Sequence, residues 1–273
     1  MKNRIAAAIL AFALCGTGVS AQTVSELLKV RVGTLTAKWE TTDKREYVLN
    51  YENTDFCDYY VTRQDALSGI ARPGRSLIYK CDNYEEANNY MRVSSGFRYY
   101  KGYPVTKFDP AFTYALPVRD GTGTRAIADK RQQVRSYAFL IKEGEPVYAM
   151  RSGKVCQCDD PRCLLVYHKD GSFAAYIGFE STTVGEGLSV RTGDELGTCG
   201  KSRLCVSFFF LDPNKLDGKT YPYTHFTPYV RTSEGDVKLP LNKDITAVVD
   251  ADVISMDMSK AARKKFIKKH SGK

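Results

Sequence analysis

The chain is dominated by short segments in which apolar and polar residues alternate, the pattern typical of half-buried β-strands. In the first part of the sequence these are the Tyr- and Val-rich stretch 45–63, the apolar run 76–80 and the aromatic stretch 97–105. The one convincing helical pattern in this region spans residues 84–91. The pattern predicts an antiparallel, β-sandwich-like N-terminal domain over residues 22–113.

A second series of short strands follows residue 114. A polar, Gly-rich stretch at 119–135 precedes it and is predicted to be a long loop. The predicted strands are 136–141, 146–150, 153–158, 164–168, 173–179, 188–190 and 205–211, with 225–228 and 237–241 as a closing strand pair. Lys169-Asp170-Gly171 joins two of them and is a strong hairpin signal. We therefore predict an all-β chain with a compact antiparallel domain over 114–258.

The first 21 residues have a different character. Lys2 and Arg4 precede an apolar run at 5–15, and a Val-x-Ala sequence ends at Ala21. This pattern is typical of a secretory signal peptide cut after Ala21. The run is shorter than the ~20 residues that cross a bilayer. Lipid attachment at Cys15 is the alternative, but the bulky residue before it disfavours that modification. We expect an exported protein, either periplasmic or extracellular.

Charge is concentrated at the two ends of the chain. Of the net +9, two positive charges lie in residues 1–21 and seven in the tail at 259–273, so the body is neutral overall. A neutral body argues against a nucleic-acid partner. The tail is predicted to be either a short basic helix over 256–267 that makes weak contact with an anionic surface, or a solvated terminus.

Seven cysteines follow the predicted cleavage site, and an exported protein would hold such a set in disulfides. Cys57 and Cys81 lie apart from the others and are the expected pair. The other near pairs are Cys199 with Cys205, and Cys163 with either Cys156 or Cys158. Because the number is odd, at least one thiol is free or intermolecular. A zinc site at Cys156-x-Cys158 is the weaker alternative, because zinc ligands are usually spaced as Cys-x2-Cys.

Four motifs in the second half occur in an order that resembles the lysostaphin-type (LytM) metallopeptidases, metallopeptidase family twenty-three. They are GEPVYAMRSGKV at 144–155, VYHKDGSFAAY at 166–176, VGEGLSVRTGDELG at 184–197, and Gly200-Lys201-Ser202 before the strand at Cys205. The last of these also ends like a phosphate-binding loop. Glu195 stands where that loop needs its first glycine, so a nucleotide partner is not expected.

The resemblance implies a two-layer antiparallel β core with a groove. In active members the groove holds one Zn²⁺, bound by a His and an Asp of an early strand and by the second His of a His-x-His strand. Two further histidines orient the attacking water, and the substrates are peptides of peptidoglycan.

This chain departs from the pattern at each of those positions. The early strand has Val134 and Ala138 at the likeliest aligned positions, the Tyr-x-His motif has Gly178, and the His-x-His strand has Cys205 and Ser207. A catalytic zinc site needs about three protein ligands and a water whose pKa the metal lowers. We therefore expect no cofactor, with zinc as the alternative, and we treat these five positions as groove candidates.

Other catalytic arrangements have little support. His168, beside the predicted hairpin turn, is expected to be structural but could lie near the groove, and His225 is expected to pack among aromatic residues. A triad of Ser207, His168 and Asp170, or a dyad of Cys205 and His168, can be drawn from the sequence. The simpler expectation is that Cys205 forms a disulfide with Cys199.

The sequence thus predicts a catalytically inactive LytM-like domain in an exported protein. Its expected partners are peptidoglycan or a cell-envelope protein such as a wall hydrolase. The alternative is an active zinc metallopeptidase with a non-standard site.

Overall fold

The computed structural model describes residues 23–63, 67–92, 96–129, 134–201 and 203–270. The predicted signal peptide, Cys15 and Ser202 lie outside these ranges.

Four α-helices and twenty-one strands form the regular structure of the described chain. The helices are α1 (Val24–Leu27), α2 (Tyr84–Arg92), α3 (Ala251–Ile254) and α4 (Lys260–His270), and a single 3-10 turn covers Pro213–Lys215. The strands are β1 (Leu35–Thr41), β2 (Tyr47–Asn53), β3 (Tyr59–Arg63), β4 (Ser68–Ala71), β5 (Gly74–Cys81), β6 (Phe97–Lys101), β7 (Thr113–Tyr114), β8 (Gly123–Ala128), β9 (Tyr137–Phe139), β10 (Pro146–Tyr148), β11 (Gly153–Val155), β12 (Cys163–Tyr167), β13 (Ser172–Ile177), β14 (Phe179–Thr182), β15 (Ser189–Val190), β16 (Glu195–Cys199), β17 (Leu204–Leu211), β18 (Tyr223–His225), β19 (Tyr229–Thr232), β20 (Gly235–Lys238) and β21 (Asp244–Thr246).

The N-terminal part, meaning the described residues before 113, contains two three-stranded antiparallel sheets. Their strand orders are β1-β2-β5 and β4-β3-β6. Leu49 and Tyr51 of β2 and Tyr59 of β3 are buried in one apolar cluster. Segments in which apolar and polar residues alternate form strands here, because the apolar face of each sheet can then be buried. Helix α2 confirms the predicted helix at 84–91.

A nine-stranded sheet forms the centre of the rest of the molecule. Its order is β15-β11-β12-β13-β17-β9-β8-β21, and β18 also pairs with β17. The long strand β17 pairs antiparallel with β13 over most of its length, while β9 and β18 share its other edge. The described strand pairs are antiparallel apart from β7 with β19, so the all-β prediction is confirmed.

The two faces of this sheet bury different partners. Successive residues of a strand point to opposite faces. Ala174 and Tyr176 of β13 therefore join one apolar cluster, which the small sheet β10-β16-β14 covers. Phe173 and Ala175 join the other cluster, together with Leu49 and the rest of the N-terminal part. We call these the first face and the second face. Because both parts share the second cluster, the division at 113/114 into two domains stays a prediction.

Two segments differ from the sequence prediction. The stretch predicted as a loop at 119–135 contains β8, whose Thr124 and Ala126 are buried by pairing with β9 and β21. The predicted closing pair is also shifted, because β18 pairs with β17 while β19 and β20 form the hairpin. In both cases tertiary pairing selects strand segments that the alternation pattern alone does not mark.

The predicted hairpin at 169–171 is confirmed, since β12 and β13 pair antiparallel on either side of it. Gly171 has φ +85°, a conformation that residues with a side chain rarely adopt. A Cβ atom there would also lie 2.7 Å from the ring of Tyr103, so the N-terminal part packs directly on this turn.

The tail is helical from Lys260 to His270, which confirms a basic helix near the predicted position. Arg263 ties it to the body by donating to Asp252 at 2.6 Å. Its contact with an anionic surface stays a prediction. The described part of the chain contains no helix that is both long and apolar enough to span a lipid bilayer.

Candidate functional site

Three of the positions that the motif alignment assigns to the metal site meet on the second face of the large sheet. Ala138 of β9 lies opposite Cys205 of β17, which lies opposite Ile177 of β13. Ser207 is two residues further along β17 and therefore points to the same face. The structure thus brings Ala138, Cys205 and Ser207 together, as the motif alignment predicts.

The other two positions flank this row. Val134 precedes β9 and is half-buried against the second cluster. Gly178 follows β13 with φ +109°, where glycine is favoured and a histidine would be strained. Its backbone N–H donates to the Arg162 carbonyl oxygen at 3.0 Å. The backbone at Gly178 therefore has a conformation that favours glycine over histidine.

These five residues do not fit a catalytic zinc ion. Val134, Ala138 and Gly178 have no donor atom in their side chains, and a serine hydroxyl is a weak ligand compared with imidazole, carboxylate or thiolate. Ser207 moreover donates its hydroxyl to the Arg135 carbonyl oxygen at 3.0 Å. Cys205 is the one strong donor of the five, whereas a catalytic site needs about three.

Burial also corrects the expectation that these residues line an open groove. Ala138 and Cys205 are each 2% exposed and Ser207 is fully buried. The Cys205 thiol donates to Asp129 Oδ2 at 3.1 Å. These three side chains therefore offer almost no surface to a ligand in this structure.

An open cleft lies beside the buried row. It has a volume of about 490 Å³, within the usual range for small-ligand sites. Arg135 and Lys238 are exposed cations along it, whereas Tyr137 and Leu239 supply buried apolar surface. The full lining of the cleft is Ala128, Asp129, Arg135, Ser136, Tyr137, Thr227, Lys238, Leu239 and Leu241.

His168 does not lie near Cys205. It follows β12, while Cys205 aligns through Ile177 with Cys163 at the opposite end of that strand. The length of β12 separates the two ends, roughly 16 Å at the rise of an extended strand. The dyad of Cys205 with His168 and the triad of Ser207, His168 and Asp170 are therefore ruled out by geometry.

His168 instead lies beside a buried network around Arg151. The Arg151 guanidinium pairs with Asp170 at 2.8 Å and with Asp257 at 2.9 Å, and donates to Tyr114 at 3.1 Å. We call this the Arg151 network. It joins the β12–β13 hairpin, strand β7 and the segment after α3, so its role is to hold three parts of the fold together.

Burial and the nearby Arg151 charge lower the pKa of His168 to about 4. The ring is therefore neutral at pH 7, with Nδ1 2.8 Å from the Ser152 carbonyl oxygen. This burial fits the expected structural histidine rather than a general base. His225 is half-buried and its ring packs against Phe209, in line with its predicted packing role. Burial lowers its pKa to about 4 as well.

The described cysteines carry no disulfide in this structure, and two of the predicted pairs are not neighbours. Cys57 contacts Cys156 rather than Cys81, which lies at the end of β5 beside Asn83. Cys199 packs on the first face, while Cys205 points to the second, so the sheet separates them. Both predicted pairs are therefore corrected.

Cys158 and Cys163 are brought into contact, as one of the open alternatives allowed. Cys163 begins β12 and Cys158 lies in the loop before it, so the pair spans a short turn.

The sequence did not reveal a buried ion pair within the N-terminal part. Lys101 Nζ lies 2.9 Å from Asp55 Oδ2, and each residue is 1% exposed. Burial alone would raise the pKa of Asp55, but the Lys101 charge and several hydrogen bonds hold that pKa below its usual value. The one sequence signal that could have predicted this ion pair is the lysine among the aromatic residues of β6, because a charge in a buried strand needs a partner.

Comparison with known proteins gives weak and partial similarities. No protein-family model matches the sequence, and no curated protein matches it. Among solved structures, the M23 metalloprotease pseudoalterin from the deep sea is 14% identical with a TM-score of 0.33, covering 50% of this chain and 95% of that one. A putative M23 peptidase from Pseudomonas aeruginosa is 12% identical with a TM-score of 0.31, covering 63% and 77%. A zinc-containing peptidase from Vibrio cholerae is 14% identical with a TM-score of 0.30, covering 60% and 52%.

Proposed function

We propose that this protein is an exported cell-envelope protein whose second half is a non-hydrolytic relative of the M23 peptidases. In this proposal it binds the peptide part of peptidoglycan, or a wall hydrolase that acts on it. The observation that carries the proposal is the contrast between a maintained sheet framework and a missing donor set at Val134, Ala138, Gly178, Cys205 and Ser207.

The framework is supported by the order of the four motifs. Ala138 aligns with a ligand position and Cys205 with a water-orienting position, and the two are strand neighbours. Ser207, aligned with another ligand position, shares their face. Such a coincidence of sequence order and sheet register supports common architecture, although architecture by itself does not establish function.

The missing chemistry supports a binding role. Peptide hydrolysis of this type depends on water activated by a metal, and the three positions aligned with its ligands hold a valine, an alanine and a serine. A protein that keeps the scaffold without these donors can still recognise the same class of molecule.

The cleft beside the row is the proposed binding surface. Arg135 and Lys238 are exposed along it and would pair with carboxylates of a wall peptide. Leu241, which is 41% exposed, would contact the aliphatic parts of the peptide. Recognition here does not require the buried Cys205 or Ser207 to touch the ligand.

Sedimentation with insoluble peptidoglycan tests this surface. We expect retention of the wild-type protein and at least about a tenfold loss for the double variant Arg135→Glu/Lys238→Glu, since each lost charge-assisted contact is worth ~1 kcal/mol or more. Arg191→Glu/Lys219→Glu is the matched control, because it makes the same charge change at exposed residues that do not line the cleft. Equal retention of both double variants would contradict the assignment of the cleft.

Removal of the tail separates cleft binding from adhesion by charge. The tail contributes seven positive charges, which attract an anionic wall without any specific site. A chain ending before Ser259 should keep its retention at physiological salt if the cleft binds. Complete loss of retention on truncation would instead assign binding to the tail.

One observation favours the alternative of an active zinc peptidase. Cys205 Sγ and Asp129 Oδ2 lie 3.1 Å apart, and thiolate and carboxylate are both zinc ligands. In the described residues no third His, Cys, Asp or Glu joins them in a close group. If this alternative holds, the purified protein should contain about one zinc per chain, and Cys205→Ala should remove both the zinc and the hydrolysis of peptidoglycan.

A further inference from the structure

Four cysteines gather where the N-terminal part meets the large sheet. Cys57 comes from the N-terminal part, whereas Cys156, Cys158 and Cys163 lie in or beside the loop at 156–162, which we call the docking loop. The Cys57 and Cys156 sulfur atoms lie within 4.8 Å of each other, and the Cys158 and Cys163 thiols are in contact. Two pairs in adjacent positions are not explained by the proposed binding function.

Polar contacts fix the docking loop against the N-terminal part. The Gln157 backbone N–H donates to Asp55 Oδ1 at 2.8 Å, and its side-chain amide donates to the Thr54 carbonyl oxygen at 3.0 Å. Arg31 pairs with Asp159 at 2.8 Å. These contacts hold the docking loop beside Cys57, so the proximity of the two sulfur atoms follows from a built interface.

Asp55 and the two thiols also form a group of the kind that can hold a metal ion. The Asp55 carboxylate, however, has its hydrogen-bonding capacity filled. Oδ1 accepts from the backbone N–H groups of Phe56 and Gln157, and Oδ2 accepts from Tyr59 and Lys101. The Lys101 ammonium already supplies the positive charge that a metal would bring. Two sulfur donors remain, fewer than a structural zinc site uses.

We propose that Cys57 and Cys156 form a disulfide that joins the N-terminal part to the sheet, and that Cys158 and Cys163 form a second one across the docking loop. The first bond would fix the N-terminal part over the second face, which carries Ala138, Cys205 and Ser207. The remaining described cysteines would stay as thiols; they are Cys81, Cys199 and Cys205.

Each bond requires an oxidant, for which a low-molecular-weight disulfide such as glutathione disulfide suffices. One cysteine thiolate attacks the glutathione disulfide and releases one glutathione thiolate, and the second cysteine then displaces the other. Two cysteine thiols thereby lose two electrons and two protons, and one glutathione disulfide becomes two glutathione thiols.

The four thiols differ in how readily they enter this exchange. Cys158 is the least buried of the four and is the entry point, since contact with Cys163 lowers its pKa. Burial raises the pKa of Cys57, so its bond should form before the interface closes.

Peptide mapping tests the connectivity without any variant. The full chain is refolded in a glutathione redox buffer, its free thiols are blocked with N-ethylmaleimide in denaturant, and the digest is analysed by mass spectrometry without reduction. We expect linked peptides joining Cys57 to Cys156 and Cys158 to Cys163, with Cys81, Cys199 and Cys205 alkylated. Alkylation of all seven described cysteines, or a Cys57–Cys81 peptide, would overturn the proposal. The proposal would also be overturned if two cysteines that resist N-ethylmaleimide became reactive on addition of a chelator alone, because a bound metal and not a disulfide would then protect them.

A double-variant comparison separates a bond from simple packing of two buried thiols. Cys57→Ser, Cys156→Ser and the double variant should lower the urea midpoint by the same amount, because any one of them removes the same bond. Each should also lose part of the wild-type response to reductant. Cys81→Ser is the matched control and should keep the whole reductant response. Additive losses from the two single substitutions would contradict the Cys57–Cys156 bond, and the peptide map stays decisive if a variant does not fold.

Discussion

The two ends of strands β12, β13 and β17 differ in what they hold. At one end the Arg151 network buries a guanidinium with two carboxylates, and each of these charges has a partner. At the other end, where the resemblance places metal ligands, stand Ala138, Cys205 and Ser207, with Gly178 beside them. One end is therefore held by buried charges, whereas the described side chains at the other end are mostly small and uncharged.

This contrast has a physical basis. Removing one member of a buried charge network leaves the others unpaired, at a cost of roughly 3–5 kcal/mol. Alanine and valine at the aligned ligand positions need no partner for charge, so the fold is stable there without a metal ion. Substitutions in the Arg151 network should therefore lower stability, whereas substitutions at the other end of these strands should affect it little.

Loss of Arg151 should have the strongest consequence. Arg151→Met should lower the free energy of unfolding by ~3–5 kcal/mol, because Asp170 and Asp257 would stay buried without their cation. Urea denaturation followed by circular dichroism measures the change. Arg125→Met is the control, since Arg125 pairs with Asp244 at the surface, where such pairs contribute under ~1 kcal/mol. Equal losses in the two variants would show that the network has no special role.

A dependence of stability on pH, caused by His168, should come next in size. Its pKa is about 4 in the folded chain and ~6.5 in an unfolded one. Between these values the unfolded state binds more protons, so stability should fall as the pH drops from 7 towards 4, by up to roughly 3 kcal/mol for this group. His168→Gln should flatten the slope by about half, because His225 has a similarly lowered pKa and supplies the rest. A wild-type stability that does not change over this range would contradict the burial of both rings in neutral form.

A substitution in the row of Ala138, Cys205 and Ser207 should have the mildest consequences. Ser207→Ala should cost only ~1 kcal/mol, through the lost hydrogen bond to the Arg135 carbonyl oxygen. Retention on peptidoglycan should not change, because Ser207 is fully buried. A loss of retention at unchanged stability would show that ligands do reach this row, and would favour an open groove over the neighbouring cleft.

Local patterns were sufficient to predict several parts of the fold. The hairpin at Asp170 and Gly171, helix α2 and the strand at Cys205 follow from turn residues and alternation. Strand β8 was missed because its burial depends on pairing with β9 and β21 and not on its own hydrophobicity.

The candidate site was predicted in part. Motif spacing placed Ala138, Cys205 and Ser207 on one face, since strand periodicity fixes which side chains are neighbours. Spacing could not show that this face is buried, because the covering chain comes from residues remote in sequence. For the same reason spacing paired Cys57 with Cys81, whereas the docking of the N-terminal part on the sheet brings Cys57 beside Cys156 through long-range contacts alone.

Metal analysis and an assay for hydrolysis on the same purified, full-length protein decide whether the second half is non-hydrolytic. Zinc is measured per chain after dialysis against zinc-containing buffer and removal of unbound metal, and released amino groups are measured in a peptidoglycan suspension. We expect well under one zinc per chain and no release of amino groups, together with retention on the insoluble wall. About one tightly bound zinc per chain with concurrent clearing of the suspension would refute a non-hydrolytic protein.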